Sequence, residues 1–85
     1  MPDHDECILI VEDSEFNAQV LAKTVSQLAP VIVAASGNEA LDLMRTRVFD
    51  VVLLDITLPD IDGFEVCRKI VEAQGPDAPP IIFVT

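Results

Sequence analysis

Short apolar runs alternate along this chain with segments of helical periodicity. Four runs are continuous and rich in Val, Ile and Leu, at residues 7–11, 31–35, 51–54 and 81–84. Such runs are typical of strands that are buried on both faces, as in a parallel sheet. Because a helical segment separates each run from the next, we predict the order β-α-β-α-β-α-β, with helices on both faces and right-handed crossovers.

The three intervening segments have apolar residues at helical spacing. The first helix is predicted over residues 14–28. The second begins at Ser36, whose spacing from Glu39 fits a capping box, and the third ends before Gly75. The predicted apolar stripes are Phe16, Val20, Leu21, Thr24, Val25 and Leu28 in the first helix, Ala40, Leu41, Met44 and Val48 in the second, and Phe64, Cys67, Ile70 and Val71 in the third.

Composition and charge narrow the class of protein. The chain has 85 residues and is 51% hydrophobic, so it forms a core but is shorter than the usual domain of about 100–150 residues. No apolar run approaches the roughly 20 residues of a membrane span, and the acidic start lacks the basic region of a secretory signal. We therefore expect no membrane association and a cytoplasmic location. The net charge of −10 opposes direct binding to nucleic acid.

The two cysteines carry no recognisable chemistry. Cys7 and Cys67 lack the spacing of a redox or zinc motif. They are interpreted as small apolar residues in a reducing compartment.

Carboxylates directly follow two of the predicted strands. Glu12 and Asp13 follow the first strand, and Asp55 ends the third. Because ligands bind at the carboxyl ends of strands in open α/β sheets, we expect these side chains to converge. Their repulsion would raise at least one pKa unless a cation is present, and Mg²⁺ suits such oxygen ligands. Asp55 could then attack phosphorus to form an aspartyl phosphate, with the hydroxyl of Thr85 against the phosphoryl group.

Each of these residues also has an ordinary structural explanation. The acidic pair after the first strand fits helix-capping residues, which the helix dipole favours. Thr57 and Thr85 are, taken singly, more often simple β-formers. Asp60 and Asp62 are interpreted as solvated loop charges, with Asp62 supporting the turn before Gly63. His4 lies in the predicted tail and is interpreted as inert.

Taken in order, the residues resemble the receiver domains of two-component response regulators. The resemblance covers nearly the whole chain. It rests on the acidic pair Glu12-Asp13, on Asp55 with the segment 55–63 (Asp-Ile-Thr-Leu-Pro-Asp-Ile-Asp-Gly), and on Thr85. It implies a flavodoxin-like parallel sheet of order 2-1-3-4, and a Mg²⁺-dependent phospho-acceptor that switches a downstream output.

The resemblance implies a role for each residue of the site. Asp55 would accept a phosphoryl group from a histidine kinase or phosphotransfer protein, and would also lie at the metal. Thr85 would be the switch hydroxyl. Asp13 would bind Mg²⁺ directly, Glu12 through water, and Thr57 through its backbone carbonyl. The chain would be a signalling module, with no enzymatic activity beyond its own phosphorylation and dephosphorylation.

The resemblance also predicts what the chain lacks. The family has a fifth strand with a lysine and further helices, which this chain does not reach, and Lys23 and Lys69 both fall in predicted helices. We therefore expect residues 1–6 to form a flexible tail and residues 7–85 a receiver domain that is incomplete at its C-terminus, with the output domain missing. The exposed fourth strand, residues 81–84, is expected to favour self-association.

Two other classes of function are weighed from the residues. The segment 53–58 resembles the nucleophile segment of haloacid-dehalogenase-like phosphatases, with Asp55 as nucleophile and Mg²⁺ as cofactor, although Thr57 stands where that family has a second Asp. This alternative stays open. A nucleotide-binding Rossmann module is disfavoured, because no GxGxxG motif follows the first strand and the acidic residues there would repel phosphate.

Overall fold

Strands and helices alternate as predicted in the computed structural model, which describes residues 6–84. The strands are β1 (Ile8–Val11), β2 (Val31–Ala34), β3 (Val51–Leu54) and β4 (Ile81–Phe83), the helices are α1 (Glu15–Val25), α2 (Gly37–Thr46) and α3 (Gly63–Gln74), and a 3₁₀ turn (Gly75–Asp77) follows α3. Most of the predicted tail, including His4, and the predicted switch residue Thr85 lie outside the described residues.

The strands of this part of the chain form one parallel sheet in the order β2-β1-β3-β4. The predicted order 2-1-3-4 is therefore confirmed. β1 and β3 lie at the centre of the sheet and are almost fully buried, which explains why their sequences are continuous apolar runs.

The strand register brings the carboxyl ends of the strands to the same edge of the sheet. Val11 of β1 is level with Ala34 of β2 and with Leu54 of β3. The ladder continues for one more residue, because the N–H of Glu12 donates to the carbonyl of Ala34 at 3.0 Å and the N–H of Asp55 donates to that of Val11 at 3.0 Å. The residues that follow β1 and β3 therefore start from fixed, neighbouring positions.

The two faces of the sheet pack against different helices, as predicted. Alternating residues of the central strands face opposite sides. Leu9 and Leu54 belong to the larger core cluster, which includes Met44 of α2 and Ile70 of α3. The opposite face packs against α1, through Ile8, Ile10 and Leu53 of the sheet and Leu21, Ala22 and Val25 of the helix.

The predicted apolar stripe of α1 is wrong in part. Phe16 is 74% exposed, and Leu28, beyond the end of the helix, is 77% exposed. The buried residue of the helix is Ala18, and Leu21 and Ala22 pack against the sheet. The helix thus has a second apolar face, which includes Ala18 and Ala22. This face packs against the sheet, because small side chains let the helix lie close to the strands.

The stripes of α2 and α3 need smaller corrections. Val48 lies beyond the end of α2 and is 64% exposed, and Phe49 is buried instead. In α3 the buried apolar residues are Val66 and Ile70. Phe64 is largely exposed, although its ring contacts that of Phe83 with the centroids 5.1 Å apart.

Two further features agree with the sequence patterns. Cys7 is buried and Cys67 half-buried, and neither is bonded to another cysteine. Within residues 6–84, no helix has the length and apolar character that crossing a membrane requires.

The assigned packing of α3 can be tested with two neighbouring residues. Ile70 is 1% exposed, so Ile70→Ala should lower the free energy of unfolding by about 2–5 kcal/mol because it leaves a cavity. Val71 is 49% exposed, and Val71→Ala should change it by only about 0.5 kcal/mol. Urea titration followed by circular dichroism measures both. Equal losses for the two variants would contradict the assigned packing.

Candidate metal centre

Three carboxylates meet where β1 and β3 end. Glu12, Asp13 and Asp55 each place one carboxylate oxygen so that all three atoms lie within 4.8 Å of one another. The structure therefore brings together the three acidic side chains that the sequence pattern assigned to this edge. In the described part of the chain, no other group of three or more His, Cys, Asp or Glu side chains is arranged in this way.

The acidic pair is held between the end of β1 and the start of α1. Glu12 is buried, and one of its carboxylate oxygens accepts the N–H of Ser14 at 3.1 Å. Ser14 caps α1, since its hydroxyl oxygen accepts the N–H of Asn17 at 3.3 Å. Asp13 lies between Glu12 and Ser14 in the sequence and is exposed. These hydrogen bonds limit the movement of the Glu12 side chain and of the backbone that carries Asp13.

Asp55 is half-buried, and its carboxylate is oriented by a backbone donor. The N–H of Thr57 donates to Asp55 Oδ1 at 3.1 Å. The loop that follows folds back tightly, because the N–H of Gly63 donates to the carbonyl of Ile56 at 2.7 Å. A Cβ atom on Gly63 would collide with the carbonyl oxygen of Asp55 and lie 2.7 Å from the Cα of Ile56. Only glycine allows this close return.

The charges of the cluster oppose one another. Burial raises the pKa of Glu12, the N–H of Ser14 partly counteracts this, and the nearby Asp55 and Asp13 raise the pKa further. Among residues 6–84, the ion pairs connect only helix surface residues, namely Arg45 with Asp42, Arg68 with Glu65 and Glu72, and Lys69 with Glu65. None of these ion pairs within residues 6–84 includes Glu12, Asp13 or Asp55.

The donor set is suited to a hard divalent cation. Carboxylate oxygens and backbone carbonyls are the ligands that such ions prefer, with water in the remaining positions. A cation would also counteract the burial and the repulsion that raise the pKa of Glu12. The cluster could therefore hold a metal ion.

Two aspartates of the loop after β3 accept hydrogen bonds from the N–H groups at the starts of helices. Asp60 is exposed, as expected of a solvated charge, and its carboxylate also accepts the N–H groups of Gly37 at 2.9 Å and Asn38 at 2.8 Å. No local pattern indicates this contact, because Asp60 is 23 positions along the chain from Gly37. Asp62 caps α3 by accepting the N–H of Glu65 at 2.9 Å, a role that its position before a helical segment could have indicated.

The sequence matches the response regulator receiver domain family over residues 8–85. The topology and the acidic edge described above agree with that assignment. The chain belongs to this family, and its class is that of the receiver domains of two-component signalling.

Individual relatives place this domain in larger proteins. A probable cyclic di-GMP phosphodiesterase of Vibrio cholerae is 36% identical over 86 residues, which cover 100% of this chain and 20% of that protein. The transcriptional regulatory protein AfsQ1 of Streptomyces coelicolor is 39% identical over 79 residues, which cover 92% of this chain and 34% of that protein. The chain thus spans about a fifth to a third of the length of these curated relatives.

A solved receiver domain has the same architecture. The BeF3-activated receiver domain of DrrB, from Thermotoga maritima, has a TM-score of 0.79 and 30% sequence identity to this chain. The match covers 91% of this chain and 62% of that one. The four-stranded sheet described here is therefore similar to a large part of that domain.

The free-energy cost of ionising Glu12 within the cluster should be measurable without metal. A raised pKa means that the ionised Glu12 is less favourable in the folded state than in the unfolded chain. Glu12→Gln keeps an oxygen for the N–H of Ser14, so it should increase the free energy of unfolding at neutral pH, on the order of 1 kcal/mol. The gain should disappear below the ordinary glutamate pKa of 4.5, where the carboxyl is protonated in both states.

Chemical unfolding in the presence of a chelator measures this effect. Glu15→Gln is the control, because Glu15 is an acidic residue of the first turn of α1 outside the cluster, and it should give no gain. A Glu12→Gln variant that is no more stable than the unsubstituted chain at neutral pH would contradict the assigned cost of an ionised, buried Glu12 beside Asp55 and Asp13.

Proposed function

We propose that this chain is a Mg²⁺-dependent phospho-acceptor in which Asp55 is phosphorylated by a histidine kinase or a phosphotransfer protein. The supporting observation is the convergence of three carboxylate oxygens within 4.8 Å in a chain that belongs to the receiver family. That family assignment also favours a signalling receiver over the haloacid-dehalogenase-like alternative, for which Thr57 already departs from the expected motif.

The residues around Asp55 supply the ligands that Mg²⁺ requires. We assign direct contacts to Asp13 and Asp55, a water-mediated contact to Glu12, and a backbone carbonyl contact to Thr57. When bound, Mg²⁺ would supply positive charge that offsets both the carboxylates and the incoming phosphoryl oxygens. We assign the switch hydroxyl to Thr85, which follows the described residues.

The phosphoryl transfer itself needs an oriented carboxylate. The N–H of Thr57 holds Asp55 Oδ1, and the β1–β3 ladder holds the backbone of Asp55. A carboxylate oxygen of Asp55 forms the new bond to phosphorus while the bond from phosphorus to the donor breaks. The donor atom leaves with the electron pair, so no oxidant or further reactant is needed.

The downstream role follows from the family and the relatives. We propose that phosphorylation of Asp55 switches an output that lies outside this chain, since relatives have names as different as a transcriptional regulatory protein and a probable cyclic di-GMP phosphodiesterase. The chain itself would act in the cytoplasm without contacting nucleic acid, and its own chemistry would be limited to gaining and losing the phosphoryl group.

Incubation with Mg²⁺ and a small acyl phosphate tests the proposal. We expect mass spectrometry to detect one base-labile phosphoryl adduct, located on Asp55, that requires Mg²⁺. Asp55→Asn should abolish it, whereas Asp77→Asn, a change in the exposed 3₁₀ turn after α3, should leave it unchanged. An adduct on another residue, or turnover of many phosphate esters, would contradict the assigned role. The parent protein, where the chain is part of one, is tested in the same way.

The edge of the sheet at β4 should promote pairing with a second copy. In the described residues β4 has a neighbour on one side only, and Ile82 is 51% exposed. Unpaired strand edges with apolar side chains are templates for association. We expect this chain to be dimeric or larger by size-exclusion chromatography with light scattering, and Ile82→Lys to shift it towards monomer.

Val48→Lys is the matched control for this change. Val48 is 64% exposed and lies in the segment between α2 and β3, outside β4. It should leave the association unchanged. A monomer at all concentrations would contradict pairing through β4.

A further inference from the structure

Asp60 joins the loop after β3 to the first turn of α2. Its Oδ1 accepts the N–H of Gly37 at 2.9 Å and its Oδ2 accepts the N–H of Asn38 at 2.8 Å. Both donors belong to a helix N-terminus, where the dipole favours a negative charge, and hydrogen bonds to an ionised acceptor are the stronger kind. These two contacts lower the pKa of Asp60, that to Asn38 being the larger cause. The carboxylate is therefore held in its charged form.

The start of α2 depends on this distant side chain. The first N–H groups of a helix have no partner within the helix. Ser36 satisfies the N–H of Glu39 through its hydroxyl oxygen at 3.1 Å, and Asp60 satisfies those of Gly37 and Asn38. Ser36 therefore accepts a hydrogen bond from one N–H group of the first turn. Asp60, in the loop after β3, accepts hydrogen bonds from two others.

Close packing reinforces the contact. A Cβ atom on Gly37 would lie 2.5 Å from Cγ1 of Ile61 and 2.8 Å from Cγ2 of Val66. The residue that follows Asp60 and the second turn of α3 therefore lie directly against the start of α2. There is no room for a larger side chain at Gly37 unless these groups move.

Asp60 fixes the middle of a loop whose two ends are already held. At one end, the N–H of Asp55 extends the ladder to Val11, and at the other the N–H of Gly63 returns to the carbonyl of Ile56. Residues 57–59 lie between the first of these points and Asp60. The Thr57 carbonyl, assigned above to the metal, is therefore in the part of the loop whose path Asp60 limits.

We propose that Asp60 is a positioning residue of the metal centre: by binding the first turn of α2, it holds the loop after β3 so that the Thr57 carbonyl faces the acidic cluster. This inference rests on the proposed function, because it concerns the same metal centre. Asp60 does not touch the metal in this proposal. It acts through the backbone of residues 57–59.

Mg²⁺ titration calorimetry and amide hydrogen exchange test the proposal together. We expect Asp60→Ala to weaken Mg²⁺ binding about tenfold, as is typical of residues that orient a metal ligand. Asp60→Asn, which keeps one acceptor oxygen, should have a smaller effect. The control Asp77→Ala should leave the affinity unchanged. Exchange in Asp60→Ala should become faster at Gly37 and Asn38, and also at Thr57 and Leu58.

The set of amides that exchange faster distinguishes a positioning role of Asp60 at the metal centre from a role in capping α2 alone. Faster exchange confined to Gly37 and Asn38, with unchanged Mg²⁺ affinity, would mean that Asp60 only caps α2, and would overturn the proposal. If the unsubstituted chain takes up no Mg²⁺, the proposed function fails, and exchange at Thr57 and Leu58 alone decides whether Asp60 holds the loop. If Asp60→Ala does not fold, the same comparison is made with Asp60→Asn.

Discussion

The meeting of three carboxylates, one of them buried, at one edge of the sheet is the physical constraint that defines this site. One carboxylate oxygen of each of Glu12, Asp13 and Asp55 lies within 4.8 Å of the other two, and burial, followed by the nearby charges of Asp55 and Asp13, raises the pKa of Glu12. The buried central strands make this arrangement possible, because the apolar packing of β1 and β3 stabilises the positions from which these side chains start. The fold thus offsets the cost of bringing these carboxylates together in a site that could hold a metal ion.

The site is built mainly from backbone hydrogen bonds. Asp55 is oriented by the N–H of Thr57, and Glu12 by that of Ser14. Gly63 closes the loop by a contact that leaves no space for a Cβ atom. Backbone groups are less free than long side chains, so these hydrogen bonds reduce the conformational entropy that the carboxylates of Glu12 and Asp55 would lose if they held an ion.

The same loop connects the acidic edge to the helices on one face of the sheet. Asp60 binds the first turn of α2, and Asp62 caps α3. Ile61 packs against the larger core cluster and lies so close to Gly37 of α2 that a Cβ atom there would collide with it. A change in the position of this loop would therefore also change the starts of both helices. Such coupling suits a domain whose relatives combine it with much longer chains.

The sequence by itself determined the element order, the parallel sheet and the three acidic residues of the site. These follow from continuous apolar runs that end in carboxylates, a pattern that is read locally along the chain. Only the tertiary structure decided that α1 packs through Ala18 while Phe16 stays exposed, and that Asp60 binds Gly37. The first depends on how closely a helix approaches the sheet, and the second joins residues that are distant in sequence, so neither choice is encoded in a local pattern.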